Sequence, residues 1–237
     1  IVLDCDVPYI PTQVTPRPDG TVVQIDLDPV KERIPLWSFP LTLAVRADTA
    51  RAIALLADYA TEALSDDSRK RIEARRSELT ARHHERRAAR KAMGLAAGES
   101  RPITTEWLGY CIGQFQREAP ECVFVDESLT SHVAVWNHLD SDQPGSVFGS
   151  GGSSLGWGLG AALGIKLARP DRPVVLVVGD GSFVFGEPLA ALWASQMNNA
   201  PLLVVVFNNG CYNANKAPLK SAYPDGYSVR SRHFVGT

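Results

Sequence analysis

The stretch VVLVVGDGSFVFGEPLAALWASQMNNAPLLVVVFNNGCY, at positions 174–212, decides the fold. It contains two apolar runs, residues 174–178 and 202–207, which are rich in β-branched side chains and do not alternate with polar ones. Such runs are typical of strands that are buried on both faces, as in a parallel sheet covered by helices. The segment between the runs has helical spacing, with Pro188 in its first turn. The stretch therefore predicts a strand–helix–strand crossover within an α/β fold.

Each of the two runs ends in a short polar signature, GDGS at 179–182 and NNG at 208–210. Because the carboxyl ends of neighbouring parallel strands meet at one edge of a sheet, we expect the two signatures to lie together where open α/β sheets bind ligands. Taken singly, each signature is more typical of an ordinary turn, since Gly, Asn and Asp dominate turns. Their joint position at the ends of two connected strands favours a ligand site.

The residue types in the two signatures suit a metal ion and a phosphate. Asp180 offers carboxylate oxygens, Asn209 an amide oxygen and Cys211 a main-chain carbonyl. Hard oxygens of this kind are the ligands that Mg²⁺ prefers. The Ser182 hydroxyl can donate to phosphate oxygens, and the glycines let the backbone approach an anion closely. No lysine stands here as in a Walker loop, so the metal ion would neutralise the phosphate.

GDG followed by NN resembles the thiamine-diphosphate motif. The segment GGSSLGWGLGAALGIKLARPDRPVVLVVGDGS, at 151–182, resembles the cofactor-binding domain of the acetolactate synthase and benzoylformate decarboxylase superfamily. VFVDESLTSHVAVW at 123–136 and PGSVFGSGG at 144–152 are similar to benzoylformate decarboxylase in particular. TVVQIDLDPV at 21–30 is similar to the end of that superfamily's middle domain. The resemblance implies parallel sheets flanked by helices, with a diphosphate-binding domain preceded by the end of a middle α/β domain.

The chain divides into three predicted segments. Residues 1–60 are expected to form the C-terminal part of the middle domain, with an amphipathic helix in RADTARAIALLADYA that Asp48 or Thr49 caps. Residues 61–101 are expected to form a charged helical linker. Residues 102–237 are expected to form the thiamine-diphosphate and Mg²⁺ domain, truncated at its C-terminus. Both ends of the chain read as cut.

The linker contains an unusually basic stretch, SRKRIEARRSELTARHHERRAARKA, with ten Lys/Arg against three Glu. One interpretation is an arm that binds nucleic acid. The stretch has no Phe, Tyr or Trp on which bases could stack, and no recognition motif adjoins it. We therefore expect a solvated helix between two domains and no nucleic-acid partner.

The resemblance also implies a role for each residue of the site. Asp180, Asn209 and the Cys211 carbonyl correspond to the Mg²⁺ ligands. The positions that correspond to diphosphate contacts are Leu129, Thr130, Gly179, Gly181, Ser182 and Tyr212. Leu155 corresponds to the apolar wedge that holds the cofactor bent. The Ser153 carbonyl corresponds to the acceptor for the cofactor's 4′-amino group, at a position where the family often has glycine.

The activity implied is that of a thiamine-diphosphate- and Mg²⁺-dependent 2-oxo acid decarboxylase or carboligase, which is a lyase or a transferase. None of the matched positions supplies the glutamate that activates the cofactor, and the family carries that residue on a pyrimidine-binding domain. We expect this domain on further sequence or on another chain, within a homodimer or homotetramer, and expect the isolated chain to be inactive. The alternative is a non-catalytic cofactor-binding or regulatory subunit, or a remnant.

Two departures from the family leave the substrate open. The segment that corresponds to the Arg/Asp-rich flavin region of acetolactate synthases reads DCDVPYIPTQ, at 4–13, which argues against FAD. Thr12 falls where benzoylformate decarboxylase has a catalytic histidine, which argues against aryl decarboxylation by that route. The glycine-rich GWGLGAALG lies within a helical stretch and not in a tight strand–helix turn, so it does not predict a dinucleotide site.

A hydrolase triad is a further alternative, because Glu127, Ser128 and His132 lie close in sequence. No GxSxG motif surrounds the serine, so a capping role or a cofactor contact is favoured for this group. Four scattered cysteines without CxxC spacing indicate reduced thiols of an intracellular protein. We therefore expect a cytoplasmic location and no membrane-spanning segment, with any targeting signal outside this chain.

Overall fold

The computed structural model describes residues 1–34, 39–152 and 154–234. The chain forms two compact units, Ile1–Thr80 and Ala81–Thr237. The division falls inside the predicted linker, whose limits stay a prediction.

The first unit contains a parallel sheet with the strand order β1-β2-β3. Its elements are β1 Val2–Leu3, β2 Val23–Asp26, β3 Leu43–Arg46 and helix α1 Thr49–Ala63. The predicted cap of α1 is confirmed, because the Asp48 carboxylate accepts a hydrogen bond from the Arg51 N–H at 2.9 Å. Polar groups lie deep in this unit: the Lys31 ammonium is 2.6 Å from an Asp26 carboxylate oxygen, and both residues are buried.

Helix α2, Asp66–Ala96, contains the basic stretch and crosses the division between the units. Most of its residues are exposed, as expected of a solvated helix. Within the second unit, Gly94 packs so closely on Tyr110 that an added Cβ would lie 2.7 Å from the tyrosine side chain. Arg87 donates a hydrogen bond to Asp140, and this guanidinium holds the pKa of that carboxyl below its ordinary 3.8. The second half of α2 is thus part of the second unit.

The second unit is a parallel four-stranded sheet with the order β5-β4-β6-β7. Its strands are β4 Val123–Glu127, β5 Val147–Gly149, β6 Val174–Gly179 and β7 Leu203–Phe207. Its helices after α2 are α3 Thr105–Glu118, α4 His132–Trp136, α5 Trp157–Ala168, α6 Asp180–Phe185, α7 Pro188–Met197, α8 Asn213–Ala222 and α9 Tyr227–Ser231. The predicted crossover is therefore confirmed as β6, α7 and β7, with Pro188 in the first turn of α7.

Helices cover both faces of this sheet. On one face, Phe124 and Val177 pack in a cluster that includes Ile112 of α3. On the other face, Val125 and Leu176 pack in a cluster that includes Leu159 of α5. The central strands β4 and β6 thereby lose almost all their solvent exposure, which stabilises the layer by roughly 25 cal/mol per Å² of apolar surface.

Strand β7 differs from the expectation of burial on both faces. That expectation is confirmed for β6, whose residues 174–178 are at most 2% exposed. In β7, Leu203 is 50% exposed and only Phe207 is buried. The reason is position: β7 pairs with β6 alone and is the edge strand, so fewer elements cover it.

None of the described helices is long and apolar enough to cross a membrane. The four cysteines are free. Burial raises the pKa of the Cys111 and Cys122 thiols, which makes these two less reactive.

Candidate functional site

The two polar signatures meet at the carboxyl edge of the second sheet. Gly179 of β6 is paired with Phe207 of β7, so both strands end at the same level. The Gly210 N–H donates a hydrogen bond to Asp180 Oδ2 at 2.8 Å, which joins the NNG turn to the end of β6. The expectation that the signatures lie together is confirmed. GDGS is not an isolated turn, since β6 runs directly into α6, whose first residue is Asp180.

The three oxygens expected to bind a metal ion already have local hydrogen bonds. Asn209 Oδ1 accepts from the Cys211 N–H at 3.0 Å. The Cys211 carbonyl accepts from the Asn213 N–H at 2.9 Å. Cys211 Sγ also donates to Asn209 Oδ1, at 3.2 Å. A thiol is a weak donor that a cation can displace, and the Cys211 carbonyl, with its one bond, keeps a lone pair for a cation. These hydrogen bonds stabilise the conformation of the turn and leave its oxygens able to bind a cation.

A cleft of about 540 Å³ opens at this edge. Its walls come from the segments that follow β4, β5, β6 and β7. The predicted site residues that line it are Leu129, Thr130, Leu155, Gly179, Asp180, Gly181, Ser182, Asn209, Cys211 and Tyr212. Ser153 lies outside the described residues, so the prediction for its carbonyl has no structural counterpart. The structure thus gathers around one cleft residues that are up to 83 positions apart, from Leu129 to Tyr212.

Ser182 is the clearest sign that the cleft is built for a polar ligand. Its side chain is 1% exposed, and its hydroxyl has no hydrogen-bond partner among the described residues. A buried hydroxyl without a partner costs roughly 1–3 kcal/mol, so a ligand oxygen that accepted from it would remove that cost. The residue lines the cleft one turn into α6, beside Asp180.

Gly181 allows Tyr212 to lie against the start of α6. A Cβ added at Gly181 would lie 2.7 Å from the Tyr212 ring, which is closer than side chains approach one another. Gly181 is therefore required here for packing against Tyr212, in addition to its predicted role at the phosphate. Tyr212 in turn closes the cleft on the side of α8.

The residues present fit a diphosphate bound through Mg²⁺. They offer one carboxylate, one amide oxygen, one main-chain carbonyl and an unpaired buried hydroxyl, which together suit a hard cation and an anion. The described residues contain no cluster of three His, Cys, Asp or Glu side chains placed to hold a metal ion. The predicted set does not require one, because two of its three oxygens are amide and main-chain groups. The individual ligand roles stay predictions.

The sequence did not reveal the roles of the two acids at the end of β4. Asp126 is 4% exposed, and its carboxylate accepts from the Ser128 N–H and O–H, the His132 ring and the Trp136 ring. Glu127 is 5% exposed and accepts from the N–H groups of Gly156 and Gly158 at 2.6 and 2.5 Å. The signal available was a pair of acids ending an apolar strand. Their partners could not be read from it.

Glu127 holds the segment that carries Leu155. Gly156 has a φ of +82°, and a Cβ there would lie 2.8 Å from the Gly186 backbone, so glycine is required at this position. With Gly156 and Gly158 bonded to one carboxylate, Leu155 is fixed at the start of α5, half-buried in the cleft wall. This position agrees with an apolar wedge.

The hydrolase triad, which the sequence left as a disfavoured alternative, does not form. His132 is bonded to Asp126 and not to Glu127, and the Ser128 hydroxyl donates to the same Asp126. The serine is 2% exposed, so it is not presented to a substrate. The favoured interpretation, a capping role or a cofactor contact, remains open for this group, whose three residues all line the cleft.

The second unit is a parallel sheet covered by helices. At its carboxyl edge lie a carboxylate, a turn with an asparagine side chain and an unpaired hydroxyl, and this combination is typical of an α/β domain that binds a diphosphate. Residues 130–234 match the model of the family described as thiamine pyrophosphate enzyme, C-terminal TPP binding domain. This match confirms the resemblance seen in the motifs of the second unit.

Curated relatives agree with the family. The chain is 37% identical over 94 residues to benzoylformate decarboxylase of Pseudomonas aeruginosa, which covers 40% of this chain and 17% of the relative. It is 41% identical over 101 residues to the acetolactate synthase large subunit of Mycobacterium tuberculosis, which covers 42% of this chain and 18% of the relative. The matched segments thus span less than a fifth of either relative.

A solved structure also aligns with the chain. It is the thiamine diphosphate-dependent 4-hydroxybenzoylformate decarboxylase of Rhodococcus jostii RHA1, at 31% identity and a TM-score of 0.47, over 52% of this chain and 23% of that one.

Proposed function

We propose that this chain supplies the diphosphate-binding half of the active site of a Mg²⁺- and thiamine-diphosphate-dependent 2-oxo acid decarboxylase or carboligase. The observation that carries the proposal is the bond from Gly210 to Asp180 in a cleft that also contains the unpaired Ser182 hydroxyl. Asp180, Asn209 and the Cys211 carbonyl would hold Mg²⁺. When bound, thiamine diphosphate supplies the electron sink that lets a 2-oxo acid lose carbon dioxide.

The carboxylates of the cleft have other tasks than activating the cofactor. Among the described residues that line it, the acids are Asp126, Glu127 and Asp180. The first two are buried and accept hydrogen bonds from their own chain, and the third would be bound to the metal ion. The activating glutamate would therefore come from a pyrimidine-binding domain, on further sequence or on another subunit.

An apolar surface beside the cleft supports a companion domain or subunit. Helices α6 and α7 expose Val184, Leu189, Trp193 and Met197 by 65%, 83%, 65% and 66%. Exposed apolar patches of this kind are typical of protein–protein contacts. A homodimer or homotetramer would cover this surface and complete the site.

The second candidate is a subunit that binds the cofactor without catalysis. It is favoured by the fact that each acid of the cleft already has another role. A chain without an activating acid can bind the cofactor but cannot use it in catalysis. The complete constellation of Asp180, Asn209 and Ser182 favours the catalytic assembly, since a remnant has no need of it.

Product analysis of the complete assembly tests the reaction. Pyruvate and benzoylformate are supplied separately with thiamine diphosphate, Mg²⁺ and acetaldehyde, and the products are identified by mass spectrometry. Acetolactate or acetoin would identify a carboligase. Benzaldehyde from benzoylformate, or carbon dioxide from pyruvate without either ligated product, would identify a decarboxylase. If neither 2-oxo acid is consumed by an assembly that binds the cofactor, the non-catalytic alternative stands.

The split of the active site has its own test. Exchange of the thiazolium C2 proton is followed by NMR at saturating thiamine diphosphate and Mg²⁺. We expect the isolated chain to leave the rate of free cofactor unchanged, and the assembly to raise it. Faster exchange with this chain alone would place an activating acid within its 237 residues.

A further inference from the structure

A second cleft lies at the opposite edge of the same sheet. Its volume is about 800 Å³, and it shares no lining residue with the cleft of the candidate site. Ser146 of its wall directly precedes β5, and Gln116 and Arg117 belong to α3, which precedes β4. Because the strands are parallel, these segments lie at their amino ends. We call this space the basic cleft; its wall includes Arg87, Arg90, Gln116, Arg117, Asp140 and Ser146.

Helix α2 presents basic side chains to this cleft. Positions 87, 90 and 94 share one face of the helix, and Gly94 on that face packs on Tyr110. A helix face that packs on a domain normally carries apolar side chains. Here it carries Arg87 and Arg90, and both line the cleft. The contact between α2 and the rest of the unit is therefore open at this point, with cationic groups on its wall.

Asp140 is held by its main chain and orients two guanidiniums. The buried Gln116 accepts from the Asp140 N–H at 2.6 Å and donates to the Asp140 carbonyl at 2.7 Å. The Asp140 carboxylate accepts from Arg87 Nη1 and, at 3.4 Å, from Arg117 Nη1. Among the described residues, Nε and Nη2 of Arg87 have no partner. Arg87 is thus oriented while two of its three nitrogens remain uncommitted.

Arg90 lines the cleft without a partner. It is half-buried, and the part of the chain that the structure describes forms no hydrogen bond or ion pair with it. Lys91 follows it and lines an adjoining pocket of about 230 Å³, which shares Arg87 and Arg117 with the basic cleft. Four Lys/Arg and two Asp line the two spaces together. The excess of positive charge favours an anionic ligand.

We propose that the basic cleft binds a small anion with a diphosphate group, through Arg90 and the uncommitted donors of Arg87. This site is separate from that of the proposed cofactor and does not depend on the proposed function. Guanidinium groups line it from α2 and from α3. A tetrahedral phosphate offers acceptor oxygens in several directions, whereas a planar carboxylate offers them in one plane, so phosphate suits donors that come from different sides.

Metal dependence distinguishes the two clefts. Among the described residues that line the cleft of the candidate site there is no lysine or arginine, so a diphosphate bound there would require Mg²⁺. The basic cleft supplies its own cations and needs no metal ion. Calorimetry of the full chain with inorganic pyrophosphate in excess EDTA therefore tests the basic cleft, and we expect a Kd below about 1 mM.

ADP is measured alongside pyrophosphate to identify the source of the diphosphate group. Tighter binding of ADP than of pyrophosphate would identify a nucleotide as the ligand. Equal or weaker binding of ADP would identify free diphosphate, because the added nucleoside then contributes no contact.

Substitutions of Arg90 test which group binds the anion. We expect Arg90→Gln to weaken pyrophosphate binding by about 10-fold or more, as for a lost hydrogen bond between charged groups. Arg90→Lys keeps the charge without the planar fork and should lose about 3-fold. Arg86→Gln, exposed on the same helix and outside both spaces, is the matched control and should keep the wild-type affinity. Thermal unfolding should show the wild-type Tm for all three variants.

Several results would overturn the site. One is the absence of pyrophosphate binding in EDTA. Another is equal weakening by Arg86→Gln and Arg90→Gln, which would indicate general attraction by the basic helix. Citrate that binds as tightly as pyrophosphate would assign the cleft to carboxylates. Asp180→Ala, which tests the proposed function, should leave binding in EDTA unchanged, and its loss in that variant would place the pyrophosphate in the other cleft.

Discussion

Strands β4 and β6 are neighbours in one sheet and have acids at the same edge, where β4 ends in two and β6 is followed by one, yet the acids differ in what surrounds them. The β4 acids, Asp126 and Glu127, are buried and accept hydrogen bonds from side chains and N–H groups of the chain itself. Asp180, after β6, is only half-buried and accepts a hydrogen bond from the Gly210 N–H of the NNG turn. The first pair maintains the shape of the cleft, whereas the third acid faces its interior.

The difference teaches that a carboxylate at a strand end has no fixed role. A buried carboxylate must have its lone pairs satisfied, because leaving one unpaired costs several kcal/mol. Where the protein supplies all the donors, the acid is structural. Where donors are few and solvent reaches the group, the acid remains available for a cation.

Asp126→Ala should have the largest effect, on stability. It leaves the buried Ser128 N–H and O–H, and the ring N–H of the partly exposed Trp136, without an acceptor, so we expect the free energy of unfolding to fall by about 3–5 kcal/mol. Urea unfolding of the wild-type chain and of the variant measures this. Asp180→Ala is the control at the neighbouring strand end, and equal losses in the two variants would remove the distinction between the acids.

Asp180→Ala should abolish Mg²⁺-dependent binding of thiamine diphosphate, with a loss of at least about 100-fold in affinity, because it would remove a proposed ligand of the metal ion. The free energy of unfolding should change by no more than about 0.5 kcal/mol, as for a side chain with few contacts. Calorimetry with and without a chelator tests the first part. A folded variant with wild-type affinity would contradict the assignment of Asp180 to the metal.

Leu155→Ala should reduce turnover by about 10-fold and affinity for the diphosphate by less. The half-buried side chain would lose apolar contact worth about 1–2 kcal/mol with a bent cofactor, while the Glu127 bonds to Gly156 and Gly158 stay intact. Steady-state kinetics of the complete assembly, compared with calorimetry, separates the two effects. If neither parameter changes, Leu155 is only part of the core.

Asp140→Asn should have the smallest effect on the free energy of unfolding. Asp140 is a partly exposed carboxylate away from the candidate site, and it extends the comparison to an acid that is paired with an arginine. The hydrogen bond from Arg87 lowers the pKa of Asp140 below 3.8, so its stabilisation is present above that pH and is lost as the pH falls through the folded-state value. At neutral pH the variant should be less stable by about 0.5–1 kcal/mol. The difference should shrink in acid, and a difference that is constant with pH would rule out this ion pair as its source.

The sequence by itself determined the elements and the site at their ends. Periodicity placed β6, α7 and β7, and the GDGS and NNG signatures lie together as their positions after two buried strands required. These features depend on contacts between residues that are near in sequence or on the general geometry of a crossover, so a pattern is enough to predict them.

The tertiary structure alone decided the partners of the β4 acids and the exposure of β7. Glu127 binds N–H groups 29 and 31 residues away, and no local pattern marks a pairing across that distance. His132 pairs with Asp126, six residues away, and not with Glu127 of the hydrolase alternative. Exposure of Leu203 follows from β7 lying at the edge of the sheet. Burial and hydrogen-bond partners are properties of the packed chain, and they decide which acid shapes the site and which is left to bind.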